Sequence, residues 1–153
     1  GFGEDIWVKQ GGQATINSYK GNVPAAHIEF LKNARPYYLH ENKLFVHAGY
    51  DLRESLEVQD LDIFLWDRNL ARTVMDRYLK QLPGKITSFD EVFIGHTVIP
   101  FEEPVHAAGI WLMDTGAGWS GVLSMMNIET KEMFISDPVP ALYPGIRGRV
   151  RNR

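Results

Sequence analysis

The sequence predicts a mixed α/β fold, with helices set beside short buried strands. Two observations carry this. Leu70, Val74, Tyr78 and Leu82 recur at spacings of four, the repeat of one helix face. Elsewhere short β-branched and aromatic runs, such as 44–46 and 92–94, each end in turn-forming or small residues, as buried strands do.

Taken in order, the first segment reads as a helix. Trp7 and Val8, then Ala14 and Thr15, share a face, and Gly11-Gly12 should break or kink it. Asn22-Val23-Pro24 reads as a second helix start, with proline at an early position. Ala26, Phe30 and Ala34, with Ile28 and Leu31, would be its buried side, and Pro36 stops it. Segments 36–40 and 43–50 then flank Glu41-Asn42, a two-residue hairpin turn with weaker chemistry than Asn-Gly. Residues 51–66 read as an acid-rich loop, and 70–82 as a helix ended by Pro83-Gly84. Strands are expected at 91–94, 109–113, 121–128 and 132–135, with Gly116, Gly118 and Glu129-Thr130-Lys131 marking turns.

Composition narrows the chemistry. At 153 residues the chain is the size of one domain, and 44% hydrophobic with 23% charged residues is ordinary for a globular protein. A net charge of −3 argues against a general polyanion-binding surface. The absence of cysteine removes disulfides and thiolate metal sites, leaving His, Asp, Glu or Asn as metal ligands. It also fits a reducing compartment, and a cytoplasmic location is expected. No apolar run is long enough to span a membrane, and no signal segment opens the chain. The start at Gly1-Phe2-Gly3, without an initiator methionine, reads as a chain that begins partway through something larger, or as a trimmed tag or leader.

Two segments share one design. Leu44-Phe45-Val46-His47-Ala48-Gly49 and Val92-Phe93-Ile94-Gly95-His96-Thr97 are apolar strands that end in histidine among small residues. A rigid strand end can hold an imidazole at a fixed point, and small neighbours leave room for a metal ion. The competing reading is a pair of hydrogen-bonded core histidines. Between them lies Leu65-Trp66-Asp67-Arg68, whose arginine can grip phosphate with a planar fork or simply pair with a nearby acid. His27, His40 and His106 read as solvated or core-edge histidines, with His106 placed just before a strand.

Together these segments resemble the calcineurin-like metallophosphoesterases, in particular the serine/threonine protein phosphatases of the PPP type. Phe45-Val46-His47-Ala48-Gly49 is similar to their "VHAG/VHGG" motif, Phe64-Leu65-Trp66-Asp67-Arg68 to "WxR", and Ile94-Gly95-His96-Thr97 to "GHT". Met113-Asp114-Thr115-Gly116-Ala117-Gly118 resembles the bacterial "DTGA" segment, and 7–15 the "W..nGG..T" stretch. The family's "GDxHG", "GDxxDRG" and "GNHE" motifs are absent, and Val98 stands where a Gly-His-x-His motif would need its second histidine.

The resemblance implies the C-terminal half of a two-sheet β-sandwich flanked by helices, spanning 1–137, followed by a basic tail at 138–153. It implies a centre of two divalent ions (manganese first, iron or zinc next), with His47 and His96 on the same ion. It implies Arg68 on the substrate phosphate, with Asp114 and Thr115 shaping the cleft wall. No catalytic residue beyond these ligands is expected in the chain. The implied activity is hydrolysis of phosphomonoesters, on a phosphoprotein or a small phosphoester. Two alternatives are a symmetrical dinucleoside tetraphosphate hydrolase and a non-catalytic piece that lacks the N-terminal half of its domain. The tail arginines, Arg147, Arg149, Arg151 and Arg153, could touch nucleic acid, but a short mobile terminus in a net acidic chain is the preferred reading.

Overall fold

The computed structural model describes residues 7–145, so the expectations for Gly1-Phe2-Gly3 and for the four tail arginines fall outside the described residues. The chain divides between Arg35 and Pro36 into two units. In the first, Gly11 adopts φ 114° within a wide turn at Val8–Gly12 and so breaks the helix where the Gly-Gly pair predicts. The second glycine is needed for room, because a Cβ on Gly12 would collide with the Trp7 indole. Helix α1 (Gln13–Tyr19) follows, and then α2 (Ala25–Lys32), which Pro24 precedes as its cap. The expected apolar face of α2 is not buried. Phe30 is 78% exposed and Leu31 68%, because no described element of this unit covers them.

The second unit contains a five-stranded mixed sheet in the order β1-β2-β3-β5-β4, together with a separate β6-β7 ribbon. Strands β1 (Tyr37–His40) and β2 (Lys43–Val46) form the predicted hairpin. Glu41 at φ 46° and Asn42 at φ 59° both take left-handed backbone, the geometry a tight two-residue hairpin needs. β2 stops at Val46, short of the predicted 50. The region 51–66 is not all loop: a turn of 3-10 helix at Leu56–Val58 precedes α3 (Leu61–Trp66), whose N-cap Asp60 accepts from the Asp62 N–H at 3.0 Å. Helix α4 (Asn69–Leu79) ends before the predicted 82, where Gln81 turns left-handed at φ 53°.

Strands β3 (Glu91–Ile94) and β5 (Ile110–Leu112) continue the sheet. β4 (Val105–Ala107) is a strand the sequence reading missed, and His106 lies within it rather than before one. Three residues after a proline carry too little alternation to read. β6 (Ser124–Met126) and β7 (Met133–Ile135) are shorter than expected, and a last turn of helix, α5 (Val139–Leu142), follows.

Register separates the sheet's two faces. Leu44, Val92 and Ile110 align across the parallel strands, as do Val46, Ile94 and Leu112. Leu44, Val92 and Ile110 are 0% exposed and form one core with Phe64 and with Leu70, Ala71 and Val74 of α4. Apolar sheet surface against an amphipathic helix is the source of this unit's stability. The other face carries a row of rings, Tyr38, Phe45, Phe93, Trp111 and His106, paired strand by strand across the sheet. Because β2, β3 and β5 run parallel, their C-terminal ends open on the same edge.

Candidate functional site

At that edge the chain leaves β2 through His47 and leaves β3 through Gly95 and His96. The parallel pairing brings the two imidazoles together, with His47 Nε2 3.0 Å from His96 Nδ1. The Gly95 N–H donates to the His47 carbonyl at 2.8 Å, which ties the two strand ends. The Ala48 N–H donates to the Phe64 carbonyl at 2.9 Å, which ties β2 to α3.

His96 sits on unusual backbone. Its φ is 62°, and the Thr97 N–H donates to the Gly95 carbonyl at 2.6 Å, closing a three-residue turn around it. A bond from residue i+2 back to i, around a central positive φ, defines the rare γ-turn, a strained conformation for any residue with a Cβ. Such strain concentrates at functional sites. Burial pushes the His96 pKa below the ordinary histidine value. Arg68 and His47 push it the same way, against opposition from Asp114 and Asp67. The neutral imidazole is therefore favoured. His96 Nε2 is buried and has no hydrogen-bond partner, so the ring's distal nitrogen is unsatisfied.

Arg68 is the residue before α4 and donates through Nη1 to the His96 carbonyl at 3.1 Å and toward Thr97 Oγ1 at 3.4 Å. Its guanidinium is thus fixed beside the histidine pair. Asp67, next to it, accepts from the Asn69 N–H at 3.1 Å and from the Leu70 N–H at 2.9 Å, capping α4. Gly49 makes room for that carboxylate, since a Cβ there would lie 2.7 Å from Asp67 Oδ2. Trp66 packs its ring edge-on to His96, with centroids 5.6 Å apart. The sequence reading named Trp66 only as part of a motif, and its contact with His96 depends on tertiary structure.

Asp114 follows β5 on the same edge, and its carboxylate accepts from the Gly116 N–H at 3.0 Å. Thr115 is buried and donates to the Val122 carbonyl at 2.7 Å, a structural role. The remaining histidines have other partners. His27 bonds Tyr19 Oη through Nδ1 at 2.9 Å, His40 stacks on Tyr38, and His106 stacks on Trp111.

At 3.0 Å the two ring nitrogens stand at hydrogen-bond distance, and that spacing is also compatible with two nitrogens on one metal ion. Two ligand nitrogens at right angles, each bonded at about 2.1 Å, stand about 3.0 Å apart. The observed separation is 3.0 Å. Among the described residues, however, no group of three or more His, Asp or Glu is disposed to hold a metal. The two histidines by themselves are two nitrogen donors, fewer than such a group needs. Among the described residues no helix is long and apolar enough to cross a membrane. No protein-family model matches this chain, and no curated protein sequence matches it.

Proposed function

We propose that this chain carries half of the metal centre of a phosphoester hydrolase of the calcineurin-like class. In that centre His47 and His96 ligate one divalent ion, and Arg68 binds the substrate phosphate. The observation that carries the reading is the convergence of His47 Nε2 and His96 Nδ1 at 3.0 Å, with Arg68 anchored to the carbonyl of His96. A divalent ion held there supplies Lewis acidity toward a phosphoryl oxygen and lowers the pKa of water. Manganese, iron and zinc all suit histidine with oxygen donors.

The protein's own groups have separate tasks. His47 and His96 act as neutral donors, and the burial of His96 keeps its lone pair available toward lower pH. Arg68 holds phosphate oxygens with the N–H groups that its bonds to His96 and Thr97 leave unused. The tight turn at Gly95-His96-Thr97 sets the angle of the His96 ring, and Trp66 packs against it. The favoured substrates are phosphomonoesters, including phosphoserine and phosphothreonine. A second reading, that the chain alone is not catalytic, is favoured by the two histidines having no third ligand disposed beside them among the described residues.

Calorimetric titration of manganese into the full chain tests the proposal. Wild-type protein should bind the ion, and His47→Ala and His96→Ala should each lose it while keeping the wild-type circular dichroism. Unchanged binding in both variants would refute the ligand assignment. Hydrolysis of an aryl phosphate then separates the two readings. Metal-dependent turnover that both variants abolish means a working site, whereas binding without turnover means half a site.

A further inference from the structure

We infer that Arg72 forms an outer anion subsite beside Arg68, selecting substrates that carry a second phosphate or carboxylate near the scissile phosphate. The inference rests on the reading of Arg68 as the phosphate-binding residue. A cavity of about 420 Å³ is lined by Trp66, Arg68 and Arg72, with Asp62 and Asp67 also on its wall. Two of its lining residues also touch His96: Trp66 packs on its ring and Arg68 bonds its carbonyl.

Arg72 lies one helical turn beyond Arg68, and its N–H donates to the Arg68 carbonyl at 3.0 Å. Arg68 is the N-cap of α4 and Arg72 lies in its first turn, and both line the same cavity. The two other described arginines of this unit are used internally. Arg53 forks onto Asp51 through Nε at 3.0 Å and Nη2 at 2.7 Å, and Arg77 donates to the carbonyls of Pro83 and Gly84. Arg72 makes no ion pair with any described residue. Of the two acids in the cavity, Asp67 has its carboxylate engaged in capping α4. Asp62 is left to oppose an incoming anion, so it limits the affinity rather than creating it. Two arginines one turn apart, only one of them tethered, suit a ligand with two anionic groups better than a lone phosphate.

The test is binding of tripolyphosphate and of orthophosphate to the full chain, by calorimetry at fixed ionic strength without divalent metal. Wild-type protein should prefer tripolyphosphate. Arg72→Gln should weaken tripolyphosphate about tenfold, the loss of one charge-assisted contact, and change orthophosphate less than about twofold. Asp62→Asn should tighten tripolyphosphate. Lys80→Gln, which removes a cation paired with Asp76 at the C-terminal end of α4, should change neither anion. Equal losses for both anions in Arg72→Gln would overturn the subsite, as would a matching loss in Lys80→Gln or no wild-type preference. Arg68→Gln reports separately on the underlying reading. If both anions bind it as they bind wild type, Arg68 is not the phosphate residue, whatever Arg72 does. Phosphoserine peptides flanked by aspartate or by alanine then distinguish a carboxylate from a phosphate as the second group.

Discussion

Replacing Gly49 with alanine should destabilise the protein through Asp67, and the effect should vanish when Asp67 is gone. The new Cβ would lie 2.7 Å from Asp67 Oδ2, 3.3 Å from its Cβ and 3.4 Å from its Cγ. The carboxylate must move. Oδ2 is the acceptor of the Leu70 N–H at 2.9 Å, so moving it uncaps the first turn of α4. A lost cap of this kind costs about 1 kcal/mol. Asp67→Ala removes both capping bonds and should cost about 1 to 2 kcal/mol. In the double variant the added methyl meets no carboxylate, so Gly49→Ala should cost little more, giving a coupling of about 1 kcal/mol. The assay is urea unfolding of all four proteins, followed by circular dichroism and fitted with a common slope. If the two single effects add to within about 0.4 kcal/mol, the two residues are independent and the steric argument is wrong.

Three further outcomes follow from the same geometry. His96→Val should be less stable than His96→Asn by about 1 to 2 kcal/mol in urea unfolding, because a β-branched residue tolerates the left-handed φ of 62° poorly and asparagine tolerates it well. For pH, a depressed His96 pKa means the folded state binds fewer protons than the unfolded chain. Its contribution to stability is complete above about pH 6.5 and is lost as the pH falls through the folded value, so the urea midpoint of wild type should fall relative to that of His96→Asn on acidification. Val74→Ala, at a position with 0% exposure between α4 and the sheet, should cost about 2 kcal/mol, which calorimetric or urea unfolding would register.

Local features were legible in the sequence because local periodicity and turn chemistry produce them. The strand at 91–94 and the turn at Glu41-Asn42 lie where expected, and the break at Gly11 falls within the predicted Gly-Gly pair. The face of α4 was legible at Leu70 and Val74 but not at Tyr78 and Leu82, which stay 39% and 43% exposed. The reason is reach: α4 ends at Leu79, and the core it packs against lies under its first turns. The strand at 105–107 was hidden because a three-residue edge strand takes its shape from its neighbour, not from its own pattern.

What the sequence by itself determined is the set of parts: two apolar strands that end in histidine, an arginine preceding a helix, and the turns that bound them. Which parts meet was decided by tertiary structure alone. His47 and His96 are 49 residues apart, and only the parallel pairing of β2 with β3 puts their nitrogens 3.0 Å from each other. The left-handed backbone at His96, the tether from Arg68 to its carbonyl and the packing of Trp66 on its ring all depend on that pairing. The exposed apolar residues of α2 make the same point in reverse, since an amphipathic pattern names a face while only a packed neighbour can bury it. Strand order and register are set by contacts between distant segments, whose free energy is realised only when the whole sheet forms, so no local window of the sequence carries them.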